Sequence, residues 1–133
     1  MISFGSFQAD LAAHFTLVQH RLQNAEQPVN DAVFHVYPGL SETHGTVFIL
    51  PVSEFIGIST HPTGLYLLVP DNAGMESYQP GVADWVMMTA DNNVMALMQF
   101  AKNRLLRSQR LDTATLRLSQ SLFQQKLLFR MKR

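Results

Sequence analysis

Three stretches of this chain are apolar at every position instead of every other one: Val47-Phe48-Ile49-Leu50, Leu65-Tyr66-Leu67-Leu68-Val69 and Trp85-Val86-Met87-Met88. Successive side chains of a strand point to opposite faces, so a strand with one wet face alternates apolar and polar residues. An unbroken apolar run of this length describes a strand covered on both faces, the habit of parallel and mixed sheets in α/β proteins. The first run is ended at Pro51 and the second by Pro70-Asp71-Asn72. The segments between them, about a dozen to fifteen residues, are long enough for crossovers. Strands are therefore predicted at Thr46–Leu50, Leu65–Val69 and Asp84–Met88. A further strand is predicted at Ala32–Tyr37, stopped by Pro38-Gly39. The expected fold class is α/β, a small parallel or mixed four-stranded sheet covered by helices, followed by two C-terminal helices.

The covering helices are read from period. Phe7, Leu11, Phe15, Val18 and Leu22 recur at steps of four and three, which predicts a helix over Ser6–Asn24 with Ser6 as N-cap. Single helical turns are expected at Ser53–Ile56 and Met75–Tyr78. After Gly81 there is no further glycine or proline. Asp91 is the expected N-cap of a helix carrying Val94, Leu97, Met98, Ala101 and Leu105 on one stripe. A second helix is expected from Asp112 or Thr113, with Leu118, Leu122, Gln125 and Phe129 on one seam and Leu116, Phe123 and Leu127 on another. Ser108 and Arg104 interrupt the better seam, so the heptad signal is weak. Residues 1–111 thus read as one α/β domain and 112–133 as a basic helical extension.

At 133 residues the chain is the length of one domain. It holds no cysteine, which excludes disulfides, thiol catalysis and cysteine-based zinc sites. Charged residues make up 15%, against about 25% in an average soluble domain, and a surface that sparse in charge predicts self-association, most simply as a dimer. The formal charge of zero hides a division. Residues 1–101 hold one basic residue, Arg21, and nine acidic ones, a net of −8, whereas residues 102–133 hold nine basic and one acidic, Asp112, a net of +8. The body therefore lacks the cations of a phosphate-backbone surface, and contact with nucleic acid would fall to the last 32 residues. No apolar run approaches the roughly 20 residues of a membrane helix, and no signal peptide is visible. The expectation is a soluble cytoplasmic protein without a membrane partner.

Catalytic and cofactor signatures are missing. His14 and His20 stand six apart on the expected first helix, off the i, i+4 spacing that puts two zinc ligands on one face, and no metal or other cofactor is expected. Ser41, Ser53 and Ser59 lack the Gly-x-Ser-x-Gly elbow, and neither Gly-x-Gly-x-x-Gly nor a Walker loop occurs. Glu42, Glu54, Asp71 and Glu76 are spread over separate loops. A non-enzymatic protein is expected. Open α/β sheets place ligands at the carboxyl ends of their strands, which makes Ser53, Asp71, Asn72 and Asp91 the candidate residues for a small effector or metabolite. Arg104, Arg107 and Arg110 recur at three-residue steps as a cationic face. That face suits nucleic acid, simple solvation or pairing with the acidic sheet domain. Trp85, Tyr37 and Tyr66 read as core or strand-edge aromatics, and Met87, Met88, Met95 and Met98 as core filling.

The order of these elements resembles a known family. Gly45-Thr46-Val47-Phe48-Ile49-Leu50-Pro51-Val52-Ser53 resembles a strand of the N-terminal domains of PucR/CdaR-type transcriptional regulators. Gly64 to Val69 is similar to their next strand, and Ala83 to Met88 to the last strand before a helix. Asn93 to Leu111, above all Met98 to Arg110, resembles the helix leading these sensor domains into the rest of the regulator. The resemblance spans residues 30–125. It implies a sensory or dimerising module, with a middle regulatory domain and a C-terminal helix-turn-helix in a full regulator, and it supplies no fixed ligand residues. The chain itself shows no helix-turn-helix, so the expectation is either a piece of such a regulator or a stand-alone relative.

Overall fold

The computed structural model describes residues 2–37 and 42–108. In chain order they form α1 (Phe4–His14), β1 (Leu17–Arg21), β2 (Asp31–Val33), β3 (Thr46–Pro51), α2 (Val52–Ile56), β4 (Leu65–Val69), a 3₁₀ turn (Met75–Ser77) and β5 (Asp84–Met88). A last helix, α3, covers 94–108. The fold is α/β. One five-stranded sheet has the order β1-β5-β4-β3-β2, with β2 to β5 mutually parallel and β1 antiparallel to β5.

The unbroken apolar strands are explained by what lies on each side of them. Val47, Ile49, Leu65, Leu67, Val86 and Met88 face one core, where Phe4, Phe7 and Leu11 of α1 meet Leu97, Met98, Ala101 and Leu105 of α3. Phe48, Leu50, Tyr66, Leu68, Trp85 and Met87 face the other, closed by Val52 and Phe55 of α2 and by Met75, Tyr78 and Val82 of the next crossover. Both β3–β4 and β4–β5 crossovers thus lie on one face and the two long helices on the other. All five residues of β4 and of β5 are buried, whereas the edge strands β1 and β2 are largely open.

Several expectations are corrected. The sheet has five strands, not four. The helix expected over Ser6–Asn24 stops at His14, and Leu17–Arg21 becomes an edge strand. Its pairing satisfies the backbone groups of β5, which would otherwise be an open edge. Phe15, Leu17 and Leu22 pack on the core from this extended segment while Val18 is exposed, so a 3-to-4 spacing imitated a helical stripe. The cap is Ser3, reciprocally bonded to Ser6: Ser6 N–H donates to Ser3 Oγ at 3.2 Å and Ser3 N–H to Ser6 Oγ at 2.9 Å. At α3 the cap is Asn93, whose Oδ1 accepts from Met95 N–H at 2.7 Å, and not Asp91, which is hydrogen-bonded to the Thr89 hydroxyl. The strand expected over Ala32–Tyr37 shortens to Asp31–Val33, leaving Phe34 and Tyr37 exposed. Met95 is also exposed, while Met87, Met88 and Met98 are buried. The helix expected from residue 112, and the basic extension 112–133, lie outside the described residues. Among the described residues no helix is long and apolar enough to cross a membrane.

Candidate functional site

Because β1 and β2 occupy opposite edges, the connector 22–30 must run past the amino ends of β5, β4 and β3. It is pinned at one end by Asp84, the buried first residue of β5. Asp84 Oδ1 accepts the N–H groups of Gln23 and Asn24 at 2.8 Å each, and Oδ2 accepts Asn24 Nδ2 at 2.7 Å. The start of α1 holds its middle: Phe4 N–H donates to Gln27 O, Gly5 N–H to Ala25 O, and Val29 N–H to Ile2 O, all at 2.8 Å. At the far end Asn30 N–H donates to Gly45 O at 2.8 Å and Asn30 Nδ2 to His44 O at 2.6 Å.

Between this connector and the strand ends lies a cavity of about 440 Å³. Its walls come from five separate segments: Phe4 of α1, Asn24 and Gln27 of the connector, 42–45 before β3, 61–66 at the start of β4, and 81–84 at the start of β5. Ligand cavities run from about 300 to 1,000 Å³, so the volume suits a small molecule. Gly64 is needed here for space, since a Cβ would stand 2.7 Å from both the Phe48 ring and Thr46 O. Beside it, Thr43 and Thr63 clamp two loops together. Thr43 N–H donates to Thr63 Oγ1 at 3.0 Å, Thr63 Oγ1 donates to Thr43 O at 3.1 Å, and Thr43 Oγ1 donates to Thr63 O. Tyr66 donates its hydroxyl to Pro62 O at 2.5 Å, and burial pushes the phenol above its ordinary pKa, so it stays protonated. His61 stacks on Phe55 with ring centroids 4.0 Å apart and turns Nε2 to Phe55 O at 2.7 Å.

None of the four ligand residues expected from the sequence lines this cavity. Ser53 and Asp71 do come together at the carboxyl ends of β3 and β4, where Ser53 N–H donates to Asp71 Oδ1 at 3.1 Å and the Ser53 hydroxyl to the same carboxylate. Asn72 serves the next turn by accepting Met75 N–H at its backbone oxygen, and Asp91 binds Thr89. The Ser53 hydrogen bonds hold the Asp71 carboxyl below its ordinary pKa despite its exposure. Ser53→Ala is accordingly expected to raise the Asp71 pKa toward the unperturbed carboxylate value, read by NMR titration of its side-chain carbon. A carboxyl depressed in the fold stabilises above its unfolded pKa, and that contribution fades as pH falls through the folded pKa. For so exposed a group the effect on stability is small.

Of the cationic triplet, Arg104 lies 3.7 Å from Asp10 and 5.2 Å from the centroid of the Phe100 ring. Arg104 and Arg107 line a second cleft of about 400 Å³ with His14, Phe100, Asn103 and Leu106. Arg110 lies outside the described residues. Among the described residues, no three His, Asp or Glu side chains gather as a metal site. The Trp85 indole N–H is buried without a partner.

No sequence pattern marks the cavity residues. Asn24, Thr43, His61, Thr63, Tyr66 and Asp84 are scattered over sixty positions and form no motif. The available signals were local ones, a lone aspartate opening an apolar strand and a glycine immediately before each of β3 and β4. Compared with known proteins, the chain matches no family model, no curated protein and no solved structure.

Proposed function

We propose that the chain is a non-enzymatic sensory module that binds a small effector in the cavity at the amino ends of β3, β4 and β5. It acts in the cytoplasm as part, or as a relative, of a PucR/CdaR-type transcriptional regulator. The observation that carries the reading is the cavity itself: five separated segments converge on it, so an occupant would tie α1, the connector and three strand ends together. The hydroxyl protons of Thr43, Thr63 and Tyr66 go to protein carbonyls, an arrangement suited to holding a molecule and not to activating one. Exposed Phe34, Tyr37, Met95 and Leu106, with the low charge, support self-association as a dimer.

The test uses a plug. Gly81 lines the cavity, has no positive φ, and a Cβ there meets nothing within 4 Å, so Gly81→Phe adds bulk without backbone strain. In a thermal-shift screen of common metabolites against the full chain, at least one compound is expected to raise the Tm of the wild type and leave Gly81→Phe unmoved. A ligand at 100 times its Kd adds about 2.7 kcal/mol, a shift of several degrees for a domain of this size. A screen in which no compound separates the two proteins defeats the proposal.

A further inference from the structure

The hydrogen bonds of the cavity wall specify the polarity of its ligand, an inference that rests on reading the cavity as an effector site. Most of the hydroxyl and amide side-chain donors of the wall are spent within the protein. The hydroxyl hydrogens of Thr43, Thr63 and Tyr66 go to the carbonyls of Thr63, Thr43 and Pro62. His61 Nε2 faces the Phe55 carbonyl, which can only accept, so the Nε2 proton is committed there. Asn24 and Gln27 each commit one amide hydrogen, to Asp84 Oδ2 and to Pro28 O.

Acceptors, by contrast, remain in excess. The three hydroxyl oxygens keep lone pairs, and the two carboxylates, Glu42 and Asp84, carry the formal charge of the wall. Three neutral donors occupy Asp84, whose two oxygens offer about four lone-pair sites, so one site has no partner among the described residues. No lysine or arginine stands among the described lining residues, whose imidazoles are those of His44 and His61, and Arg21 is the sole lysine or arginine before position 102. A buried anion without a cation gains most from a charged donor, because hydrogen bonds to ionised groups are the stronger ones and burial heightens them.

We infer that the cavity takes a small organic cation rich in N–H donors, an amine, amidine or guanidine, and discriminates against carboxylates and phosphates. Benzamidine, benzamide and benzoate share one ring and differ only in the headgroup, so they isolate this variable. Added to the ¹⁵N-labelled full chain, benzamidine is expected to move the amide signals of Gly45, Gly64 and Asp84 and to bind at least about tenfold more tightly than the other two. Glu42→Gln, a change at an exposed side chain, should weaken benzamidine several-fold, and Gly81→Phe should abolish the shifts. Benzoate or benzamide moving the same amides with equal or better affinity would overturn the ligand class and leave the effector site standing. If none of the three binds, the metabolite screen decides: amine, amidine or guanidine hits blocked by Gly81→Phe support the class, and acceptor-rich or anionic hits overturn it. A blank screen as well removes the site and its ligand together.

Discussion

Alanine in place of Gly45 is expected to remove about 3 kcal/mol or more of folding stability. Gly45 sits at φ +74°, in the left-handed region, where an L-residue pays roughly 1–2 kcal/mol for its Cβ. The added carbon would also stand 2.1 Å from Pro28 O and 3.0 Å from Asn30 Nδ2. The obstruction is backbone, and that backbone is not free to retreat. Pro28 bridges Ser3, Val29 N–H is bonded to Ile2 O, and Asn30 N–H is bonded to Gly45 O itself. Relief of the clash therefore requires breaking the seam between the connector and the start of β3. Urea denaturation followed by Trp85 fluorescence should place the midpoint about 1 M or more below wild type, at m-values of roughly 1–3 kcal/mol per molar. An alanine variant within about 0.5 kcal/mol of wild type, the range of an inert surface change, would mean that the seam is not held as described.

Asp84→Ala is the second large effect, expected at about 2–4 kcal/mol. Three donors converge on this one carboxylate, and removing it strands the Gln23 and Asn24 N–H groups at the bend where the chain leaves β1. The three bonds share an acceptor group, so their separate contributions do not sum. Asp84→Asn provides the internal control. An amide oxygen can still accept both backbone N–H groups that use Oδ1, whereas its NH₂ would oppose Asn24 Nδ2. The asparagine variant should therefore lose less than half as much stability as the alanine variant. Paired with Asn24→Ala in a double-mutant cycle, Asp84→Ala should show clear coupling. Full additivity would indicate that the Asn24–Asp84 contact carries little of the stability.

The parts of the fold most legible in the sequence are those where both faces of an element are buried. Leu65–Val69 and Asp84–Met88 are legible because complete burial writes an unbroken apolar run, with Pro70 closing the first of them. The α3 stripe was legible for a related reason: Leu97, Met98, Ala101 and Leu105 face one core at helical spacing. The edges were not. A half-exposed strand such as Leu17–Arg21 is held by pairing with a segment some seventy residues away, and nothing local records that pairing. Asp71 and Ser53 illustrate an intermediate case, since adjacent parallel strands bring the loops after β3 and β4 together even though no motif joins them. The cavity was the least legible, because its walls are strand beginnings and a crossing connector, and its residue types are those of ordinary loops.

One helix has a position whose mechanical meaning extends past the core it covers. Phe4, at the foot of α1, is cavity wall. One turn on, the Phe7 ring stands 5.9 Å from that of Phe100, and one turn further Asp10 holds Arg104. A hydrogen-bonded rod of eleven residues does not bend readily between such neighbours. An occupant of the proposed effector site would thus rest on the same rod that bears on α3, as a foot rests on a rocker arm.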